Sequence, residues 1–66
     1  MSTAEFQEQL LGIESYLNAF ALKYTRDEDA AKDLTQETLF KALRYKDKFA
    51  PNTNFKAWIF TIMKNI

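Results

Sequence analysis

The stretch KFAPNTNFKAWIF, residues 48–60, contains the only proline of the chain, its only tryptophan and three of its six phenylalanines. A proline disfavours the helical conformation in the residue before it, so a helix that reaches Ala50 must end ahead of Pro51. Thr53 or Asn54 can then accept a hydrogen bond from the backbone that follows, which caps a new helix. The stretch therefore predicts the end of one helix, a short polar loop and the start of another.

Apolar residues at helical spacing predict a helix on each side of this loop and a further helix before them. We expect helix 1 over about residues 3–24, helix 2 over 27–49 and helix 3 over 54–66. The apolar stripe of helix 1 consists of Phe6, Leu10, Ile13, Leu17, Phe20 and Tyr24. That of helix 3 consists of Phe55, Trp58, Ile59, Ile62, Met63 and Ile66. The sequence thus predicts one all-α domain over residues 1–66, a three-helix antiparallel bundle.

The ends of these helices are marked unevenly. Ser2 with Glu5 and Thr25 with Glu28 have the spacing of capping boxes at the starts of helices 1 and 2. Ile66 lies on the apolar side of helix 3, and no Gly, Pro or polar cap follows it. We therefore expect the sequence to be cut inside a helix.

The composition argues against an enzyme or a metal protein. The chain contains no His and no Cys, which removes the commonest general base and metal ligand and any thiolate site. Asp29 and Asp33 are one helical turn apart, but no nucleophile, base or Gly-rich loop accompanies them, so we interpret them as solvated surface acids. We expect no catalytic residue, metal or cofactor. The absence of a signal sequence and of a membrane-length apolar run predicts a cytoplasmic protein that does not bind membranes.

The charge is distributed unevenly although the formal net charge is zero. Residues 1–40 carry eight acids and three bases, whereas residues 41–66 carry six bases and one acid. Chance and the matching of helix dipoles explain this pattern as well as a polyanion-facing end does, so both interpretations stay open. Zero net charge argues against strong, non-specific DNA binding by the chain alone.

Helix 2 has two distinct faces when its residues are placed about 100° apart around the helix axis. The core face consists of Ala31, Leu34, Thr38, Ala42, Tyr45 and Phe49. The opposite side, which we call the outer face, consists of Asp33, Gln36, Glu37, Phe40 and Leu43. Two apolar residues one turn apart, flanked by Gln and carboxylates, suit either a protein-docking patch or a second core layer.

Two segments carry a family resemblance. DAAKDLTQETLFKALRYKDKF, residues 29–49, and NFKAWIFTIMKN, residues 54–65, joined by a short Pro/Asn loop, resemble conserved region 2 of extracytoplasmic-function (ECF) sigma factors. These proteins are the promoter-recognition subunits of bacterial RNA polymerase. The resemblance implies that the outer face docks on the coiled-coil clamp helices of the beta-prime subunit, which favours the docking patch over the second core layer.

The resemblance also implies a role for the loop and helix 3 in transcription initiation, namely the capture of unstacked non-template-strand bases at the promoter minus-ten element. Bases exposed by melting can stack on aromatic rings, and Asn side chains can read base edges. The implied DNA-binding positions are Phe49, Asn52, Thr53, Asn54, Phe55, Lys56, Trp58 and Asn65. Phosphate contacts are expected from Lys46, Lys48, Lys56 and Lys64. Phe49, Phe55 and Trp58 lie on apolar sides, which favours a core role for the rings and leaves Asn65 and the polar loop as the better base readers.

The sequence departs from the family pattern at its end. It stops before the basic segment that usually completes this domain, and it lacks the helix-turn-helix domain that reads the minus-35 element. An anti-sigma factor is a common partner in this family, although no residue here identifies one. The alternative interpretation is a small helical protein–protein interaction module without a DNA role, against which the basic second half and the Asn-rich loop argue.

Overall fold

The computed structural model describes residues 3–49 and 54–66. It contains α1 (Thr3–Thr25), α2 (Glu28–Arg44), a single 3₁₀ turn (Lys46–Lys48) and α3 (Phe55–Lys64). The described part of the chain has no strand, which confirms the all-α, three-helix prediction. None of these three helices is both long and apolar enough to cross a membrane.

Side-chain contacts fix the directions of the helices. α1 and α2 are antiparallel, since Asn18 in the second half of α1 meets Thr35, whereas Gln7 near the start of α1 lines one groove with Leu43 near the end of α2. α3 runs in the same direction as α1, since Phe55 contacts Phe6 while Phe60 contacts Phe20. Successive helices therefore alternate in direction, and the core lies where all three meet.

The turn between α1 and α2 consists of Arg26 and Asp27. Arg26 adopts the left-handed conformation, with φ of 58°, and its N–H donates to the Leu22 carbonyl at 2.7 Å. This arrangement is a common way for a helix to end. Asp27 then caps α2, because its Oδ2 accepts a hydrogen bond from the Ala30 N–H at 3.0 Å.

The predicted Thr25–Glu28 capping box is wrong. Thr25 is the last residue of α1, and its hydroxyl donates to the Ala21 carbonyl at 2.9 Å. Thr25 therefore lies two residues too early to cap α2, and Asp27 takes that position. Ser2, of the other predicted box, lies outside the described residues.

α2 ends at Arg44 rather than near Phe49 as predicted. The backbone continues as the 3₁₀ turn, in which the Phe49 N–H donates to the Lys46 carbonyl at 3.1 Å. A proline restricts only the residue directly before it, so Pro51 sets the latest end of the helix and not its actual end. Pro51 itself lies outside the described residues.

Asn54 caps α3, as one of the two predicted candidates. Its side-chain oxygen accepts from the Ala57 N–H at 3.3 Å. α3 ends at Lys64, two residues before the predicted end, and the Asn65 N–H donates back to the last turn.

The core confirms most of the predicted apolar stripes and corrects four positions. Ile66, predicted on the apolar stripe of helix 3, is 42% exposed and lies beyond the end of α3. Tyr24 is 73% exposed, and Ala21 is buried in its place. Tyr45 is 39% exposed instead of belonging to the core face of α2. Thr35, which was not predicted to be buried, is 1% exposed. The buried residues are Phe6, Leu10, Ile13, Leu17, Ala21, Ala31, Thr35, Thr38, Ala42, Ile59 and Met63.

Candidate functional site

The outer face of α2 is open to solvent in the described part of the chain. Its polar members Asp33, Gln36 and Glu37 are all exposed. Phe40 is 73% exposed and Leu43 is 41% exposed. Since neither apolar side chain packs into the core formed by the described helices, a second core layer would have to come from elsewhere. The structure thus brings together all five predicted docking residues on one accessible helix face.

Phe40 and Leu43 do not stand alone, because α1 contributes a further exposed apolar residue beside them. A groove runs between α1 and α2, and four residues of each helix line it. We call it the α1–α2 groove. Leu11 of α1 is 75% exposed and lies in this groove with Phe40 and Leu43. The groove edge also contains the polar residues Gln7, Glu14 and Gln36.

The rings around the loop form one aromatic cluster, made of Phe6, Phe49, Phe55 and Trp58. Phe49 and Phe55, which flank the loop, are 5.5 Å apart between ring centroids, and Phe49 is 5.1 Å from Trp58. Phe6 of α1 lies 5.5 Å from Phe55 and 5.9 Å from Trp58. The cluster therefore fastens both flanks of the loop to α1. Such ring pairs contribute about 0.5–1.5 kcal/mol each beyond their buried area.

The rings that were predicted to stack on bases therefore pack against other side chains of the domain. Phe49, Phe55 and Trp58 are each half-buried and pack against the buried core. Their packing joins both flanks of the loop to the core, and their partial exposure leaves some ring surface accessible to solvent. Phe60, which lies off the apolar side of α3 in the sequence, is also half-buried, with its ring 5.0 Å from that of Phe20.

The polar candidates lie at opposite ends of α3. Asn54 is exposed and caps the start of α3, whereas Asn65 is exposed and follows its last turn. They are eleven positions apart, which corresponds to roughly 16 Å along a helix. A single nucleotide cannot contact both, so they belong to different positions along any bound strand. Asn52 and Thr53 lie outside the described residues.

The lysine candidates are held near aromatic rings at two places. The ammonium of Lys56 lies 4.8 Å from the centre of the Tyr16 ring, and that of Lys48 lies 5.5 Å from the centre of the Tyr45 ring. Such cation–π contacts fix a flexible cation at a small energetic gain. Lys46 is half-buried in the 3₁₀ turn, and Lys64 is exposed in the last turn of α3.

The described residues form no cluster that could hold a metal ion. Among residues 3–49 and 54–66, no three Asp, Glu, His or Cys side chains come close enough to hold a metal ion. The exposed side chains are suited to binding, through apolar contacts at the groove and through cations and amides near the loop.

The sequence model of the family Sigma-70 region 2 matches residues 13–66. The chain belongs to the sigma-70 region 2 family. This match covers α2, the loop and α3 completely and most of α1, so it includes every predicted docking and DNA-binding position. The family is one of transcription initiation factors and not of catalytic enzymes.

Two curated relatives refine this assignment. The sigma-70 region 2 chain is 41% identical over 64 residues to "ECF RNA polymerase sigma factor EcfG" of Rhodopseudomonas palustris (strain TIE-1), covering 97% of this chain and 35% of that protein. It is 35% identical over 57 residues to "Probable RNA polymerase sigma factor" of Haemophilus influenzae (strain ATCC 51907 / DSM 11121 / KW20 / Rd), covering 86% of this chain and 29% of that protein. The chain thus spans about a third of the length of these relatives. The resemblance to region 2 of ECF sigma factors is confirmed. No solved structure matches the chain significantly.

The sequence analysis of this sigma-70 region 2 domain did not predict that α1 places an exposed apolar residue beside the outer face of α2. Leu11 lies outside the apolar stripe of its helix, as Phe40 and Leu43 do in theirs, and this signal was available in the sequence. Its position in the same groove as those two residues depends on how α1 and α2 pack. The contact of Tyr16 with Lys56 likewise joins residues of different helices that no local pattern connects, whereas Tyr45 and Lys48 are only three positions apart.

Proposed function

We propose that this chain is the polymerase-docking and promoter-opening domain of an ECF sigma factor. It acts in the bacterial cytoplasm by joining two partners, the beta-prime subunit of RNA polymerase and promoter DNA. Membership of the sigma-70 region 2 family supports the role in transcription initiation. The observation that carries the docking half of the proposal is the exposure of Phe40 and Leu43 on the outer face of α2.

The docking partner is the pair of clamp helices of beta-prime. Apolar side chains at the centre of a protein interface and polar ones at its edge are typical of specific complexes. Phe40 and Leu43 supply the apolar centre, and Asp33, Gln36 and Glu37 supply a polar, acidic edge that suits basic residues on the partner. Because these side chains are already exposed in the free domain, docking requires no rearrangement of the core.

The DNA partner is the non-template strand of the melted minus-ten element. Aromatic residues that pack against each other flank the loop between α2 and α3. Exposed Asn residues lie at both ends of α3, and Lys48, Lys56 and Lys64 are exposed on the same part of the chain. Phosphates would lie on the lysines, and bases would contact Asn side chains and the exposed parts of the rings. Polymerase docking supplies most of the affinity, which agrees with the zero net charge of the domain.

Direct binding to polymerase tests the docking proposal. The double variant Gln36→Ala with Phe40→Ala removes one amide and one exposed ring from the outer face. We expect its affinity for purified RNA polymerase core to fall at least tenfold, since central aromatic residues commonly cost about 2 kcal/mol or more when truncated. Helicity should be retained because both side chains are exposed. Unchanged affinity would refute the docking face.

A promoter-opening assay distinguishes the proposed function from the alternative one. A protein–protein interaction module without a DNA role would bind polymerase but would not support promoter opening in a complete sigma factor. A helical adaptor of this kind would also show no dependence on Lys56 or Asn65 in any DNA assay. Promoter-dependent opening by the wild-type protein excludes it.

A further inference from the structure

Tyr16 of α1 and Lys56 of α3 form a contact between two helices. The Lys56 ammonium lies 4.8 Å from the centre of the Tyr16 ring. A cation within about 6 Å of a ring centroid is attracted by the negatively polarised face of the ring. Both residues are exposed, and Tyr16 keeps 61% of its surface accessible. The ring and the cation therefore meet at the surface of the domain and not in its core.

A second pair of rings sets the placement of α3 beside α1 at this contact. Phe20 and Phe60 lie one turn further along the same two helices, with their ring centroids 5.0 Å apart. Both rings are half-buried and pack against the core. Side chains four positions apart lie on one side of a helix, so the Phe20–Phe60 pair keeps Tyr16 and Lys56 at the same level. The contact between ring and cation thus follows from how α1 and α3 pack.

The position of Lys56 does not serve the stability of its own helix. Lys56 lies in the first turn of α3, where the positive end of the helix dipole disfavours a cation. In the described part of the chain, no carboxylate forms an ion pair with Lys56. Its positive charge is therefore available to an anion from outside the domain, at the end of α3 that follows the loop.

We propose that Tyr16 is a positioning residue for DNA binding, which holds the Lys56 ammonium in place for a backbone phosphate of the non-template strand. The inference rests on the proposed function, in which Lys56 contacts a phosphate. It adds a residue of α1 to a site otherwise assigned to the 3₁₀ turn, the loop and α3.

A ring beside the ammonium lowers the cost of binding a phosphate. A free lysine side chain is flexible, and fixing it on a ligand costs conformational entropy. The Tyr16 ring restricts the Lys56 side chain before DNA binds, so less entropy is lost on binding. An ammonium has three N–H donors, and a ring on one side leaves donors on the other side for phosphate oxygens. Unlike a carboxylate, the ring carries no charge that would neutralise the lysine.

A direct contact with a base is the competing role for Tyr16. An exposed ring can stack on an unstacked base, and its contribution is then independent of Lys56. In the free domain, however, Lys56 already lies over the ring. The two roles differ in one measurable respect, because only a positioning residue loses its effect when the residue that it positions is removed.

Tyr16→Leu and Lys56→Gln, alone and combined, form a double-mutant cycle that tests the proposal. Each variant of a complete sigma factor that carries this domain is assembled with polymerase core. Fluorescence anisotropy then gives the affinity for a labelled non-template oligonucleotide of the minus-ten element at several salt concentrations. We expect Tyr16→Leu to weaken binding about two- to fivefold. Lys56→Gln should weaken it further and reduce the salt slope by about 0.7, the value for one phosphate contact on a single strand. In the Lys56→Gln background, Tyr16→Leu should change the affinity by less than about 1.5-fold.

Two control variants separate positioning from a general effect on the domain. Tyr16→Phe keeps the ring and should bind within about 1.5-fold of wild type. Tyr24 lies on the same helix, is 73% exposed, and takes part in none of the cation–π contacts of the described residues. Tyr24→Leu should therefore also stay within about 1.5-fold. Circular dichroism of each variant shows whether the helices are retained, as we expect for exposed positions.

The outcomes distinguish this inference from the proposed function. If Tyr16→Leu weakens binding equally with and without Lys56, the ring contacts DNA itself and the positioning role is wrong. Wild-type binding by Tyr16→Leu, or equal losses in Tyr16→Leu and Tyr16→Phe, overturns it too. If Lys56→Gln changes neither affinity nor salt slope, the inference fails, while a loss of promoter opening in Asn65→Ala would keep the DNA role. If the wild-type protein neither binds the strand nor opens promoters, the proposed function itself fails.

Discussion

Gly12 allows a stability prediction whose sign and size follow directly from the structure. It lies inside α1 and is exposed, and a methyl group built on its Cα would meet no atom within 4 Å outside its own helix backbone and chain neighbours. Gly is less favourable than Ala in a helix interior by about 0.8–1.0 kcal/mol, because its backbone loses more freedom on folding. Gly12→Ala is therefore expected to stabilise the domain by about 1 kcal/mol.

Thermal unfolding followed by far-UV circular dichroism measures this effect. In a domain of this size, 1 kcal/mol corresponds to a rise in Tm of about 4–8 °C. Ala19→Gly is the matched control, since Ala19 is an exposed residue of the same helix, and it should lower Tm by a similar amount. Gly12 does not line the α1–α2 groove, so polymerase affinity should stay within about twofold. An unchanged or lower Tm for Gly12→Ala would refute the reasoning, because it would place Gly12 in a crowded or non-helical position.

Two further stability predictions concern the turn and the core. Arg26→Gly should raise the free energy of unfolding by about 0.5–1 kcal/mol. A left-handed conformation costs a residue with a side chain about 1–2 kcal/mol, and the greater freedom of Gly in the unfolded chain offsets part of the gain. A loss of stability in urea titration would argue against the left-handed turn. Leu17→Ala should cost about 3–5 kcal/mol, because Leu17 is 0% exposed at the centre of the core. The control Leu22→Ala, at a position that is 40% exposed, should cost far less, and equal losses would show that the core is misplaced.

The arrangement of helices could be predicted because large apolar residues recur at helical spacing. Phe6, Leu10, Ile13 and Leu17 are all buried as the pattern indicates. Asn54 was a recognisable cap because a short polar side chain follows the proline loop. The outer face was recognisable for the complementary reason, since Phe40 and Leu43 lie opposite the core stripe of their helix.

Other features depend on contacts that no local pattern encodes. Thr35 is buried because its hydroxyl donates to the Ala31 carbonyl at 2.8 Å, which satisfies a polar group that a sequence pattern counts as surface. Ala21 is buried while Tyr24 is exposed, and a pattern of large apolar residues does not include a side chain as small as that of Ala21. Because α2 ends at Arg44, a 3₁₀ turn connects it to Phe49, whose ring contacts that of Phe6 in the aromatic cluster.

The candidate site also contains some features that the sequence predicts and others that depend on how the helices pack. Membership of the outer face of α2 could be predicted from one helix alone, and every predicted member is exposed. The groove could not, because it requires the packing of α1 on α2 that brings Leu11 beside Phe40. The separation of Asn54 and Asn65 by the length of α3 already followed from the predicted helix over residues 54–66.

The central claim, that this domain holds an opened promoter strand while docked on polymerase, is tested most directly by promoter opening with Asn65→Ala. A complete sigma factor that carries this domain is assembled with polymerase core, and 2-aminopurine in the non-template strand of the minus-ten element reports unstacking. Loss of one hydrogen bond to a base edge, worth about 1–3 kcal/mol, predicts opening reduced about tenfold, with polymerase affinity unchanged within about twofold. Equal losses of opening and of polymerase affinity, or wild-type opening by Asn65→Ala, would contradict the account.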